Sequence, residues 1–338
     1  MKKLKVGIFG ATGMVGQELI KVLYKRKFSM KKLRLFASSR SKGKQIKMPD
    51  GKSITVEDVA EVNYKELELA FFAIGGGWPE EQVPKAAEAG CIVIDNSSTF
   101  RYNDNIPLIV PEINPNTIGD SNIIANPNCT TAIAAVPLYQ IYKHYGLKKV
   151  IISTYQATSG AGSQGMVELE EQSRNYLAGK KVENKIFIHP IPFNIIPHID
   201  KFQENNYTKE EMKVVWETQK IFGDKNIQIS CTCVRIPTMR AHAESIVVET
   251  KKPINPEEIR EIFQHTQGIE VKDDIENNVY PMPVTASKKF NVEVGRIRRS
   301  MVFGEYGLEF FVCGDQILKG AALNAVQIAE QVLKQRFK

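Results

Sequence analysis

A short run of rising hydrophobicity, Lys3 to Phe9, leads into Gly10-Ala11-Thr12-Gly13-Met14-Val15-Gly16 and then into the helix-spaced residues Gln17 to Leu23. Strand, glycine turn and helix in that order constrain the fold more than any other stretch. Glycines three apart let backbone approach a pyrophosphate resting on a helix N-terminus. The pattern predicts a dinucleotide-binding βα unit at the start of the chain. Further alternation extends it. Ala70 to Ile74 reads as a buried strand ending in Gly75-Gly76-Gly77, Pro79 to Ala89 as a helix stopped by Gly90, and Cys91 to Asp95 as another strand. Alternating strands and helices imply a parallel sheet.

Leu33 to Ala37 reads as the second strand, where an Asp or Glu near the end would bind a ribose 2′-hydroxyl. Ser38-Ser39-Arg40-Ser41-Lys42 has no carboxylate and two cations. That favours a 2′-phosphate, hence NADP over NAD; the plain alternative is a solvated basic loop. Arg101 follows Asp95-Asn96-Ser97-Ser98-Thr99-Phe100 at a strand end, either as an anion clamp or as a surface ion pair.

Ile124-Ala125-Asn126-Pro127-Asn128-Cys129 reads as a strand, a Pro-centred turn and a helix cap, followed by a small-residue helix to about Tyr145. Cys129 therefore falls at the helix start, where unpaired N–H groups and the dipole favour an anion. A thiol there ionises readily and can act as a nucleophile; most lone cysteines are instead buried and inert. A cysteine nucleophile usually has a distant His partner. His242, in a turn between strand-like runs and flanked by Arg235 and Arg240, is the best of the five histidines. His189 and His198 flank a Pro-rich loop without other ligands, so no metal site is expected.

The domain change is expected near Cys129: 1–128 binds the dinucleotide and is completed by a C-terminal helix over 316–338, and 129–315 forms a second domain. Strands are expected near 149–156, 229–236, 243–250, 291–299 and 308–313, with helices near 165–177, 208–222 and 255–264. Several strands follow one another directly, which predicts a mixed or antiparallel sheet.

The N-terminus lacks an apolar h-region, and no apolar run approaches the ~20 residues of a membrane span, so a cytoplasmic location is expected. The net charge of +7 comes from scattered lysines. It suits acidic small ligands and argues against nucleic acid. Five cysteines, an odd number, argue against a disulfide framework. Cys231 and Cys233 should share one face of a strand.

Taken together, Gly10 to Gly16, Asp95 to Arg101, Asn126 to Thr131, Tyr155-Gln156-Ala157-Thr158-Ser159-Gly160-Ala161-Gly162, Cys233 to Pro237 leading to His242, and Lys319 to Glu330 resemble the aspartate-β-semialdehyde dehydrogenase family along nearly the whole chain. The resemblance implies a Rossmann-like domain plus an α+β catalytic and dimerisation domain with a mixed sheet, and a homodimer. It implies NADP-dependent reductive dephosphorylation of aspartyl phosphate to aspartate semialdehyde and phosphate, a step in lysine, threonine and methionine biosynthesis. By the same resemblance Cys129 is the acyl-thioester nucleophile, His242 the acid/base, and Gln156 orients the acyl group. Arg235 would bind the substrate carboxylate, Glu210 its amino group, and Arg101 and Lys213 the phosphate. Thr12, Gly13, Met14, Val15, Arg40, Ser41, Ser159, Gly160 and Gln316 would contact the cofactor. Two rivals stand beside it: an N-acetylglutamyl-phosphate reductase, which shares this architecture and a Cys–His pair but whose acetylated substrate does not need Glu210, and a non-catalytic dinucleotide-binding redox sensor switched at Cys129.

Overall fold

The computed structural model describes residues 2–337. The chain divides into two compact units. One comprises the residues up to Asn128 and those from Ala321 onward; the other runs from Cys129 to Gly320.

The first unit contains β1 (Leu4–Phe9), α1 (Met14–Lys25), β2 (Met30–Ala37), β3 (Gln45–Lys47), β4 (Ser53–Asp58), β5 (Leu69–Phe72), α2 (Trp78–Glu88), β6 (Ile92–Asp95) and β7 (Ile123–Ala125). Among the described residues seven strands form one sheet in the order β3-β4-β2-β1-β5-β6-β7. All neighbours are parallel except the β3–β4 hairpin. A turn over Met48 to Gly51 closes that hairpin, with Gly51 at φ +88°. β5 and β6 are buried at every position, as strands covered on both faces must be. Phe9 stacks between Phe36 and Phe72, ring centroids 4.6 and 4.5 Å away.

The second unit contains α3 (Cys129–Tyr145), β8 (Leu147–Gln156), α4 (Ser163–Leu177), α5 (Lys209–Phe222), β9 (Gln228–Arg235), β10 (His242–Thr250), α6 (Pro256–Gln264), β11 (Ile269–Val271), α7 (Pro283–Ala286), β12 (Val292–Arg299) and β13 (Gly307–Gly314). Its sheet is mixed, in the order β11-β12-β13-β10-β8-β9. α3, α5 and α6 pack on it. Along β8, Val150, Ile152, Thr154 and Gln156 are buried, while Ile151 and Tyr155 on the other face are 46% and 36% exposed. Register brings Gln156 opposite Arg235 and starts β10 at His242, opposite Gly314. The polar residues of the buried face thus gather at one end of the sheet.

The last helix departs from expectation. A continuous helix from Gln316 is not formed. Asp315 Oδ1 accepts from the Ile317 and Leu318 N–H groups at 3.0 and 3.1 Å, a π-helical turn spans Leu318–Ala322, and α8 covers only Leu323–Arg336. The carboxylate caps a turn that the run of good helix formers conceals. No helix among the described residues is long and apolar enough to cross a membrane.

Candidate active site

Cys129 is the first residue of α3. The turn before it is anchored within the first unit: Asn126 Nδ2 donates to Asn96 Oδ1 at 2.9 Å, and Asn324 Nδ2 donates to Asn126 Oδ1 at 2.7 Å. Gly320, at the centre of the π-turn, backs Cys129 so closely that a Cβ there would lie 2.6 Å from the Cys129 Cβ. Only glycine fits at this position, and π-turns often mark functional sites.

His242 is fully buried. Its Nδ1 accepts the Ala157 N–H at 3.0 Å, so the neutral ring carries its hydrogen on Nε2. Nε2 has no hydrogen-bond partner among the described residues. Burial first, and then the Arg235 charge, push the imidazole down to about 3. Gly160 lies over this pair: a Cβ there would come 2.7 Å from Arg235 Nη1 and 3.3 Å from His242 Nε2. Arg235 is buried and donates through Nη1 to the Ala157 carbonyl at 2.5 Å. Burial lowers its pKa, an effect that Glu210, Cys129 and Cys233 oppose.

Gln156 is held from both sides: Thr154 Oγ1 donates to its Oε1 at 3.0 Å, and its Nε2 donates to Glu210 Oε1 at 3.2 Å. Glu210 enters from the first turn of α5, which Thr208 and Glu211 start as a capping box. Lys213, one turn on, donates to Glu210 Oε2 at 3.0 Å and Asp200 Oδ2 at 2.7 Å. Burial opposes the ammonium, but the two carboxylates outweigh it and hold its pKa above the usual value.

Gln316 is buried, with Oε1 accepting from the Ala241 N–H at 2.8 Å and Nε2 donating to Ser159 Oγ. Ala241 has φ +70°, a costly conformation for a residue with a Cβ. Asp315 joins the clamp by accepting from Arg240 Nε at 2.6 Å. The second unit therefore holds Cys129 and brings Gln156 to Glu210 and Lys213, Gly160 to Arg235 and His242, and Ser159 to Gln316. Sequence reasoning did not single out Asp200, Asp315, Gly320 or Asn324. Gly320 and Asn324 lie inside the motif at 319–330, which hints at them.

The remaining expected residues belong to the first unit. Thr12 and Gly13 form the turn before α1, and Met14 and Val15 open the helix. Gly10 has φ +85°, and a Cβ on Gly16 would strike Gly10 O at 2.2 Å. Gly13 gives α1 no side-chain cap. Arg40 and Ser41 sit in a 3₁₀ turn after β2, Arg40 exposed and Ser41 buried. Lys42 is not a second free cation: it binds Glu61 at 2.5 Å. Arg101 is buried and donates to the Asn96 carbonyl at 2.8 Å.

Glu244, two residues beyond His242, is fully buried, and neither carboxylate oxygen has a partner among the described residues. Burial raises its pKa well above 4.5. The folded group keeps its proton where the unfolded one ionises, so this contribution to stability is lost as pH rises above 4.5. Glu244→Gln is therefore expected to raise Tm relative to the parent by roughly 3 °C or more at pH 8 and by less at pH 5. Calorimetry at both values checks this; an equal shift at both would contradict it.

Known proteins match the whole chain. Residues 5–121 match the semialdehyde dehydrogenase NAD binding domain, and residues 137–319 the semialdehyde dehydrogenase dimerisation domain. An aspartate-semialdehyde dehydrogenase of Aquifex aeolicus is 47% identical over 336 residues, 98% of each chain. The structure of aspartate semialdehyde dehydrogenase II of Vibrio cholerae, complexed with ASA, has a TM-score of 0.97 at 44% identity and covers 100% of both chains. That of Candida albicans, with NADP, has a TM-score of 0.77 at 25% identity and 98% coverage of each. With relatives this similar over their full length, the chain belongs to the aspartate-semialdehyde dehydrogenase family.

Proposed function

We propose that this chain reduces L-4-aspartyl phosphate to L-aspartate 4-semialdehyde and phosphate with NADPH, through an acyl-thioester on Cys129. The observation that carries the reading is Cys129 at the start of α3, in the same unit as Arg235 and as the buried His242, whose Nε2–H has no partner among the described residues.

The N–H groups at the start of α3 favour the thiolate. It attacks the acyl carbon; the C–S bond forms, the C–O bond to phosphorus breaks, and phosphate leaves as an anion. Arg101 and Lys213 hold that anion, Lys213 remaining an ammonium between Asp200 and Glu210. Arg235 forks onto the substrate carboxylate, Glu210 takes the amino group, and Gln156 orients the acyl group. The nicotinamide cofactor, when bound, supplies the hydride. The departing phosphate takes up one proton from solvent, whereas collapse of the thiohemiacetal oxyanion frees the aldehyde and returns the thiolate, so the reduction stage needs no net proton. The acid role of His242 is then hydrogen-bond donation from a neutral ring to the oxyanion, the arrangement that stabilises developing charge best in a dry site.

The first unit fits a dinucleotide: Gly10 and Gly16 let the turn close on itself with no room for a Cβ, and the α1 N-terminus lacks a side-chain cap. Thr12, Gly13, Met14 and Val15 would line the pyrophosphate, and the family resemblance also gives Ser159, Gly160 and Gln316 a role toward the cofactor. Arg40, exposed beside Ser41 and without a nearby carboxylate on its own loop, supports a 2′-phosphate and hence NADP. The open sheet face with Ile151, Tyr155 and Phe311 supports a homodimer.

The test is NADP reduction with aspartate semialdehyde and phosphate, followed spectrophotometrically. Activity is expected to depend on phosphate and to exceed that with N-acetylglutamate semialdehyde or with NAD. Faster turnover of the acetylated substrate would overturn the assignment.

A further inference from the structure

α4 carries two polar residues, Glu168 and Gln172, one helical turn apart and buried, 4% and 2% exposed. Neither belongs to the machinery described above. Glu168 receives three consecutive backbone N–H groups of one loop: Lys185 at 3.1 Å and Phe187 at 3.3 Å on Oε1, and Ile186 at 2.5 Å on Oε2. Gln172 extends the clamp. Its Nε2 donates to Glu168 Oε1 at 2.9 Å and to the Glu183 carbonyl at 2.8 Å, and its Oε1 accepts the Ile191 N–H at 3.0 Å. Between them the two side chains hold the backbone from residue 183 to residue 191.

That backbone determines where Phe187 goes. The Arg235 guanidinium lies over its ring, 5.9 Å from the centroid. The ring edge is wedged against α4 so tightly that a Cβ on Gly165 would come 3.1 Å from Phe187 Cζ. Further along the loop, Ile196 and Arg235 exchange backbone hydrogen bonds at 2.9 and 2.8 Å. Phe187, Ile196, Asp200 and Arg235 line one cavity of about 310 Å³. A buried carboxylate satisfied by backbone donors is a costly way to hold a loop unless its position matters.

We propose that Glu168 and Gln172 are positioning residues for Arg235: by clamping the 183–191 loop they seat Phe187 on the guanidinium and set the orientation in which it meets the substrate carboxylate. The inference rests on the substrate role given to Arg235 above. It assigns the clamp to carboxylate recognition and leaves the sulfur chemistry to Cys129.

The test compares Glu168→Ala and Glu168→Gln with the parent. In Glu168→Ala, KM for aspartate semialdehyde is expected to rise about 10-fold, with kcat within about 3-fold and KM for phosphate and NADP unchanged, the pattern of lost binding without lost chemistry. Glu168→Gln keeps an oxygen for two of the three N–H groups and should fall between, at about 3-fold. Phenylglyoxal modification of Arg235, read by peptide mass, needs no substrate and should be faster in both variants. Should the parent fail to oxidise aspartate semialdehyde, the function assigned above is wrong, and Arg235 reactivity still decides the clamp. If Glu168→Ala is insoluble, Glu168→Gln decides. Parental KM and Arg235 reactivity in the soluble variants, or a uniform fall in kcat with every KM unchanged, would overturn the proposal.

Discussion

Cys129→Ser lowers turnover of aspartate semialdehyde with phosphate and NADP by about 10³-fold or more, the scale of losing a covalent nucleophile. The substitution keeps the size of the side chain and its place at the start of α3, so the change isolates the atom that bonds to carbon. A hydroxyl is far harder to ionise than a thiol, and the backbone N–H groups there cannot make up the difference. Cofactor binding, measured by fluorescence of NADPH, is expected to match the parent, because the glycine turn and α1 belong to the other unit. Serine at near-parental turnover would show that Cys129 never forms a bond to substrate.

His242→Ala lowers kcat by about 10²-fold or more and leaves cofactor binding intact. The ring is neutral, with its pKa pushed down to about 3, and offers an Nε2–H that no group among the described residues accepts. Two consequences follow for pH dependence. Because the ring stays neutral over the working range, kcat should show no limb near 6.5 from this residue. The unfolded chain, in contrast, binds a proton on His242 below 6.5 while the folded chain does not until about 3, so this group weakens folding progressively as pH falls through that window. His242→Ala should therefore lose less stability between pH 7 and pH 4 than the parent. A redox sensor would tolerate the loss of His242 completely and would show no turnover in the parent; a measurable parental kcat left unchanged in the variant would instead remove His242 from the mechanism.

The parts of the molecule written in local sequence were the parts that could be read from it. Asn126 to Cys129 followed by small residues announces a helix start, and α3 begins at Cys129. The β-branched-rich run from Val150 to Thr154 announces a strand near 149–156, and β8 covers Leu147–Gln156. What could not be read depends on partners distant in sequence. Lys42 looks like a free cation until Glu61 is found beside it. Lys213 is held between Asp200 and Glu210, thirteen residues before it and three before it, only once a loop folds back on α5. The run Lys319-Gly320-Ala321-Ala322 has the composition of a helix. It forms a π-turn next to Asp315, with Gly320 pressed on Cys129, a contact across almost two hundred residues. Glu168 reads as an ordinary helix surface residue, yet it is buried beneath the loop it holds.

The central claim is that carbon becomes attached to the Cys129 sulfur before reduction. Rapid acid quenching of the protein with aspartate semialdehyde and NADP, phosphate withheld so that the acyl group cannot leave, followed by peptide mass spectrometry, tests it directly. The account predicts an aspartyl mass increment on the peptide carrying Cys129, removed when phosphate is added. Steady NADPH formation on adding phosphate, with no increment on that peptide beforehand, would contradict it.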